Sequence, residues 1–518
     1  MRKSSWALPL AVCLAVGAWT PLAPAAVPSA QPASFAGIAE LVSLSESSRI
    51  SDVLKIARSL GSLDVVDLAP PAYKSLAPAL LETYAQLGIS LSRSERTLVL
   101  SEVARLPLHV QLAAGALLST INYCDAQVRH AWRQVSNEDH AWFVEASMEG
   151  KQLAPAEEAR MNEIAERVDM ARIIACAILV ADTIDEQIPS LKTSMQLIEN
   201  GDPADPPQIA RERFNTIVSR PAEILDDLIA QGCWDNGPGT PPWGEILPEK
   251  LVRIGHEGNN CYSPGGTILT IDLGGADRYA NGAGVGTAPL AVSISIDIGP
   301  GNDHYTSGQA VGISGIGFLF DERGDDSYAA GFNQVRAGGG VAVLADESGT
   351  DTYTCTTNCQ GFSDARGVSI LLDFSGADAL QAAGTSQGSV RGGGVALLLD
   401  LDGDDNYRTG TESQGYTGAG GGTAVLLNRD GHDQYNITNA FGRGNAWPPG
   451  STQHGIAVFI DIGGPDTYIA GPGQPNNFWG PGQSMTIGAN PRAVYARGHD
   501  CADANVCMVQ FQAALPGT

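Results

Sequence analysis

The sequence predicts two architectures in one α + β chain: an N-terminal α-helical bundle, then an all-β repeat domain wound as a right-handed β-helix of about eight coils. Three observations predict it. Apolar residues recur with a helical period from about Phe35 to Ile188, a short acidic turn motif recurs eight times after Lys250, and composition changes between the two halves. Residues 251–518 hold no lysine, 11 Arg, 26 Asp plus Glu and 50 of the 61 glycines, so their formal charge is 11 − 26 = −15.

Residues 1–25 read as a Sec-type signal peptide. Arg2 and Lys3 form a basic start, Trp6 to Ala18 an apolar core, and Ala23-Pro24-Ala25 a small-residue cleavage site. The expected location is therefore periplasmic, secreted or cell-surface, with no transmembrane helix in the mature chain. The longest later apolar run, Ile173 to Ala181, falls far short of the ~20 residues needed to span a bilayer. A net charge of −26 over 518 residues repels polyanions, which excludes nucleic acid as a direct partner.

Residues 35–200 form the expected helical domain of five or six helices. In "SDVLKIARSL", Val53, Ile56, Ala57 and Leu60 share one face. Two longer segments follow, Leu106 to Trp132 and Pro155 to Ile188, the second starting with proline and acids in its first turn. His109, His130 and His140 lack the i, i+4 spacing of a helical zinc site and read as solvated or core histidines. Residues 201–255, rich in proline and glycine, form a junction with one short helix at about Ile209 to Ile229.

Export makes disulfides the natural use of the eight cysteines beyond Cys13. Spacing suggests Cys124 with Cys176, Cys233 with Cys261, Cys355 with Cys359, and Cys501 with Cys507. For Cys124 and Cys176, inside apolar helical faces, two buried thiols fit equally well.

Residues 256–475 carry the repeat. Its copies begin "IDLGGADRY" at Ile271, "IDIGPGNDHY" at Ile296, "FDERGDDSY" at Phe320 and "ADESGTDTY" at Ala345. They continue with "LDFSGADAL" at Leu372, "LDLDGDDNY" at Leu399, "LNRDGHDQY" at Leu427 and "IDIGGPDTY" at Ile460. The first acid is Asp in seven copies and Asn428 in the other; the closing aromatic is Tyr in seven and Leu380 in the fifth. The second acids, Asp277, Asp303, Asp326, Asp351, Asp378, Asp405, Asp433 and Asp466, lie 26, 23, 25, 27, 27, 28 and 33 residues apart. Gln309, Gln334, Gln360, Gln387 and Gln414 each precede the next first acid by 12 to 14 residues. This unit suits one coil of a β-helix, whereas a propeller blade needs ~40 residues. Stacked coils predict a tyrosine column, an amide ladder of the glutamines and second acids aligned along one edge.

The half-motif G-x-D-x-Y, as in "GADRY" at Gly275 and "GTDTY" at Gly349, resembles the second half of the RTX calcium nonapeptide. That resemblance implies calcium at the second acids and tyrosines in the core. The period, near 25 residues, and the Sec signal depart from that family. The fuller D-x-x-G-x-D-x-Y pattern is similar to repeats in uncharacterised exported bacterial proteins.

Two readings of the acids stay open. Asp accepts turn amides in Asx-turns, and stacked carboxylates with few nearby cations attract calcium. The expected calcium ligands are Asp400, Asp402, Asp404 and Asp405 in "LDLDGDDNY", with Asp321, Asp326, Asp346 and Asp351 in the third and fourth copies. "LDFSGADAL", with only Asp373 and Asp378, is the weakest candidate.

Residues 476–518 read as a C-terminal cap. Arg443, Trp447, His454 and Trp479, where the repeat lengthens and stops, are candidate substrate-binding residues, since aromatic faces and charges suit a sugar chain. There is no GxSxG, HExxH or P-loop. The leading expectation is an exported acidic solenoid that binds a polysaccharide or envelope component, stabilised by calcium. The alternative is a polysaccharide lyase or glycoside hydrolase on a β-helix scaffold.

Overall fold

The computed structural model describes residues 32–200, 251–437, 455–470, 484–486 and 495–501, apart from breaks at 46, 105, 149–152, 256–258, 263–266, 281, 288–289 and 419. Its first part is α-helical and its second an all-β parallel solenoid. The expected signal peptide, the junction helix, Arg443, Trp447, His454, Trp479, Cys233 and Cys507 lie outside the described residues; at Cys501 only the backbone is described. No described helix is long and apolar enough to cross a membrane.

Among the described residues eight helices stand where five or six were expected: α1 Pro32–Val42, α2 Ile50–Leu60, α3 Leu76–Gln86, α4 Arg93–Val103, α5 Leu108–Ala131, α6 Asn137–Met148, α7 Pro155–Glu166 and α8 Met170–Asn200. The apolar pattern from Pro155 onward splits because Asp169 interrupts it. Its Oδ1 accepts the Arg172 N–H at 3.1 Å, a side-chain cap that starts a new helix. Cys124 and Cys176 are both buried and free, the second of the two arrangements expected for them. The Cys124 thiol instead points at the Cys176 carbonyl, 3.6 Å away, across α5 and α8. Cys355 and Cys359 are joined, and Cys261 is disulfide-bonded.

Among the described residues the solenoid winds through three sheets of 11, 9 and 6 strands, about six turns carrying a strand on every side. Every pairing in them is parallel except between Ser484–Thr486 and Tyr495–Cys501. Strand register stacks like on like: Asp321 opposite Asp346, Asp346 opposite Asp373, Asp373 opposite Asp400. Asn428 stands between Asp400 and Asp461, and backbone register carries the column on to Asp500.

Strands such as Val395–Asp400, "VALLLD", are buried along their whole length, and the helices explain why. Alternate residues (Phe318, Val343, Ile370, Leu397, Val425) face outward into one core shared with Val53, Leu117, Ile174 and other helical residues. The residues between them (Leu319, Leu344, Leu371, Leu398, Leu426) face inward onto the tyrosines. A strand with both faces covered reads as a continuous apolar run rather than an alternation. Polar contacts pin the two parts together. Asp125 on α5 accepts the Ala291 N–H at 3.1 Å, and Lys192 on α8 lies 2.8 Å from Glu347 and 3.2 Å from Glu322.

Candidate functional site

Each repeat turn places three kinds of residue inside the solenoid. The motif glycine comes first. A Cβ at Gly403 would lie 1.7 Å from the Gly376 carbonyl oxygen, and one at Gly431 1.6 Å from that of Gly403. Gly403 also has φ +153°. Only glycine lets successive turns come this close.

The second acids follow. From Asp303 onward each uses Oδ1 to accept the backbone N–H of the second acid one coil earlier: Asp303 from Asp277 at 2.6 Å, Asp326 from Asp303 at 2.6 Å, Asp351 from Asp326 at 2.6 Å. The chain continues through Asp378, Asp405, Asp433 and Asp466 at 2.6 to 2.8 Å. A turn amide buried between coils thus finds its acceptor in the next coil rather than within its own turn.

The tyrosines complete the interior. Tyr262, Tyr279, Tyr305, Tyr328 and Tyr353 stack at ring separations of 4.4 to 4.7 Å. Their hydroxyls donate to Oδ2 of first acids. Tyr305 reaches Asp321 at 2.6 Å, Tyr328 Asp346 at 2.5 Å and Tyr353 Asp373 at 2.7 Å, each in the following coil. Tyr262 and Tyr279 do the same to Asp272 and Asp297. Leu380 breaks the column, and beyond it the phase changes. Tyr407 donates to Asp400 of its own coil at 2.5 Å, Tyr468 to Asp461 of its own coil, and Asn428 donates to Tyr435 at 2.7 Å. Tyr262, which precedes the first motif copy, was not singled out from sequence. It supplies the hydroxyl that Leu380 lacks, so every first-acid position meets one tyrosine.

First and second acids converge in triads whose oxygens lie within 4.8 Å of one another. These include Asp272–Asp277–Asp297, Asp297–Asp303–Asp321, Asp321–Asp326–Asp346, Asp351–Asp373–Asp378 and Asp378–Asp400–Asp405. The expected ligands Asp321, Asp326 and Asp346 therefore meet in one triad, and Asp351 in another. Asp400 and Asp405 meet too, but Asp402 and Asp404 do not join them, which corrects the expected four-acid cluster. Both are exposed, on the outside of the turn, and Asp404 Oδ1 accepts the His432 N–H at 2.8 Å. Residues within a turn point alternately in and out, so closeness in sequence did not mean a shared site.

Charge cannot be left uncompensated in such a place. Asp272, Asp321, Asp346, Asp373 and Asp400 are all fully buried. Two full charges about 5 Å apart repel by about 3 kcal/mol even at an effective dielectric of 20. Four solenoid arginines pair elsewhere: Arg323 with Glu322, Arg336 with Asp364, Arg391 with Glu412 and Arg429 with Asp430. Burial and neighbouring carboxylates accordingly hold the acids toward the protonated form. Asp277 is pushed up to about 8, Asp326 to about 7, Asp405 to about 9 and Asp378 to about 10. Each triad must hold a proton or a cation.

The glutamines form the expected amide ladder in part. Gln334 donates to Gln309 at 3.3 Å, Gln387 to Gln360 at 3.2 Å and Gln414 to Gln387 at 3.2 Å. Gln334 Oε1 accepts nothing, so the ladder breaks between Gln334 and Gln360.

A small cleft opens between α6–α7 and the solenoid, lined by Glu158, Asn162, Arg336, Asp364 and Arg391 among others. Arg336 is buried, donates to Asp364 at 2.8 Å and lies over the Phe362 ring. Sequence reading missed this site because its residues come from three coils and two helices and share no motif. No protein family, curated protein or solved structure matches the chain.

Proposed function

We propose that this is an exported, acidic β-solenoid protein of the cell envelope or extracellular space, stabilised by calcium, that serves as a binding or adhesion scaffold for polysaccharide or another envelope component. The solenoid of this reading is right-handed with eight motif coils, the winding that parallel strand crossovers favour. The observation that carries it is the regular, enclosed column of carboxylates. An acid ladder sealed inside the coils cannot reach a polymer substrate, so it serves the scaffold. Oxygen-only triads suit a hard cation such as calcium. The Sec-like start of the chain supports export, and Arg443, Trp447, His454 and Trp479 remain the proposed polysaccharide contacts.

The helix–solenoid cleft favours a second reading, a polysaccharide-degrading enzyme. There Asp364, Glu158 and two arginines from different coils gather at one opening, which a lyase or hydrolase would need.

One experiment separates them. Mature protein is incubated with neutral and uronate polysaccharides, and both retention on the polymer and new reducing or unsaturated ends are measured. Retention without new ends supports the scaffold. New ends that vanish in Asp364→Asn establish the enzyme. Neither retention nor new ends with any polymer removes the polysaccharide part of the reading.

A further inference from the structure

The triads are not equivalent, and the difference is visible in their hydrogen bonds. Toward the N-terminal end the first acids are saturated. Asp272 Oδ1 accepts the Gly274 N–H at 2.8 Å, Asp321 Oδ1 the Arg323 N–H at 3.2 Å and Asp346 Oδ1 the Ser348 N–H at 3.1 Å, while Oδ2 of each accepts a tyrosine hydroxyl. Those acids hold turns and tyrosines with both oxygens. The second acids Asp277, Asp326 and Asp351 leave Oδ2 unpartnered along the ladder, and around Leu380 the first acids leave an oxygen unpartnered as well. Asp378 Oδ1 accepts the Asp351 N–H, Asp405 Oδ1 the Asp378 N–H and Asp400 Oδ2 the Tyr407 hydroxyl. Their remaining oxygens, Asp378 Oδ2, Asp400 Oδ1 and Asp405 Oδ2, have no partner. All three side chains are 2% exposed or less and belong to one triad.

We infer that Asp378, Asp400 and Asp405 form a site for one hard divalent cation, located where Leu380 interrupts the tyrosine column. The inference rests on the calcium part of the function proposed above and selects one place for it. Three unpartnered carboxylate oxygens on the residues of one triad are what a cation requires and what a hydrogen-bonded turn lacks. The adjoining triad Asp351–Asp373–Asp378 shares Asp378 and adds the unpartnered Asp351 Oδ2 and Asp373 Oδ1, so carboxylate oxygens without partners are concentrated at this level of the solenoid. Leucine at 380 keeps a further donor out. A tyrosine there would lie in register between Tyr353 and Tyr407 and bring a hydroxyl to these acids. The coil that looked poorest in acids from its sequence is thus one whose neighbourhood can take an ion. Its ligands come from two coils, and the sequence of one copy does not show them.

The test uses chelator-treated mature protein and terbium(III), a calcium-sized ion whose emission is excited through a nearby tyrosine, here Tyr407. Wild type should give tyrosine-sensitised emission that calcium displaces. Asp400→Asn and Asp405→Asn should each weaken calcium affinity by roughly tenfold or more, whereas Asp272→Asn, at a first acid whose two oxygens are both hydrogen-bonded, should leave it unchanged. Leu380→Tyr, which removes no ligand, should also weaken it, and circular dichroism shows whether each variant is folded. Loss of affinity in Asp272→Asn but not in Asp400→Asn, or unchanged affinity in folded Leu380→Tyr, overturns the location while leaving calcium in place. If neither calcium nor terbium binds wild type, or if the bound ion gives no tyrosine-sensitised emission, the site does not exist; the first of these results also ends the calcium part of the proposed function.

Discussion

Tyr407 donates its hydroxyl to Asp400 of its own coil, at 2.5 Å, whereas Tyr353 donates to Asp373 of the coil that follows, at 2.7 Å. The two arrangements meet at Leu380, and together they leave no first-acid position without a tyrosine. A buried carboxyl deprived of this donor keeps its desolvation cost and loses its partner. Tyr407→Phe, which preserves the stacked ring, should therefore lower stability by about 1–3 kcal/mol. Denaturant unfolding measures it, and a change within error would show that the hydroxyl contributes nothing to the column.

Gly403→Ala should be far more damaging than a surface glycine change. Its Cβ would meet the Gly376 carbonyl at 1.7 Å, so the coils must part or shift register. The expected result is loss of cooperative unfolding or failure to fold. Gly331→Ala, which meets nothing within 4 Å, serves as the control and should unfold like wild type.

The fold class was legible because the repeat writes the same turn eight times and register is a consequence of that repetition. The motif glycine, the second acid and the tyrosine each proved to be a column. Partner assignment was not legible. Asp404 and Asp405 are adjacent in sequence, yet one binds an amide on the outer surface and the other lies inside. Asp378 looked poorly supplied with acids because its partners Asp400 and Asp405 belong to the next copy. The unbroken apolar runs likewise gave no hint that helices cover the outer face of the first sheet, as the contacts of Phe318 and Leu397 with the helical core do.

The ladder reverses the usual pH dependence of a carboxylate. An unfolded Asp titrates near 4, but burial, then the Asp297 charge, push Asp277 up to about 8. The native state therefore binds more protons than the unfolded chain between these values. Asp277 supports folding fully below about pH 4, and that support is lost as pH rises through about 8. Metal-free protein should accordingly melt at lower temperature at pH 8.5 than at pH 5.5, if, as ~3 kcal/mol repulsions between neighbours imply, the acids act together. Asp277→Asn puts an amide where the unpartnered Oδ2 faces Asp272 and Asp297, as Asn428 already does at a first-acid position. It should shrink that difference. A larger difference in the variant would reverse the assignment of Asp277 as a proton-holding acid.

If protons and cations compete for the same interior carboxyls, a cation that binds must expel protons. Calorimetric titration of metal-free protein with calcium at pH 7, repeated in two buffers of different ionisation heat, counts them directly. Release of roughly one proton or more per calcium is expected, because Asp378 and Asp405, pushed up to about 10 and about 9, hold protons at that pH. Calcium binding with the same heat in both buffers would mean that the acids were already ionised, and the interior column would then need a different source of neutrality.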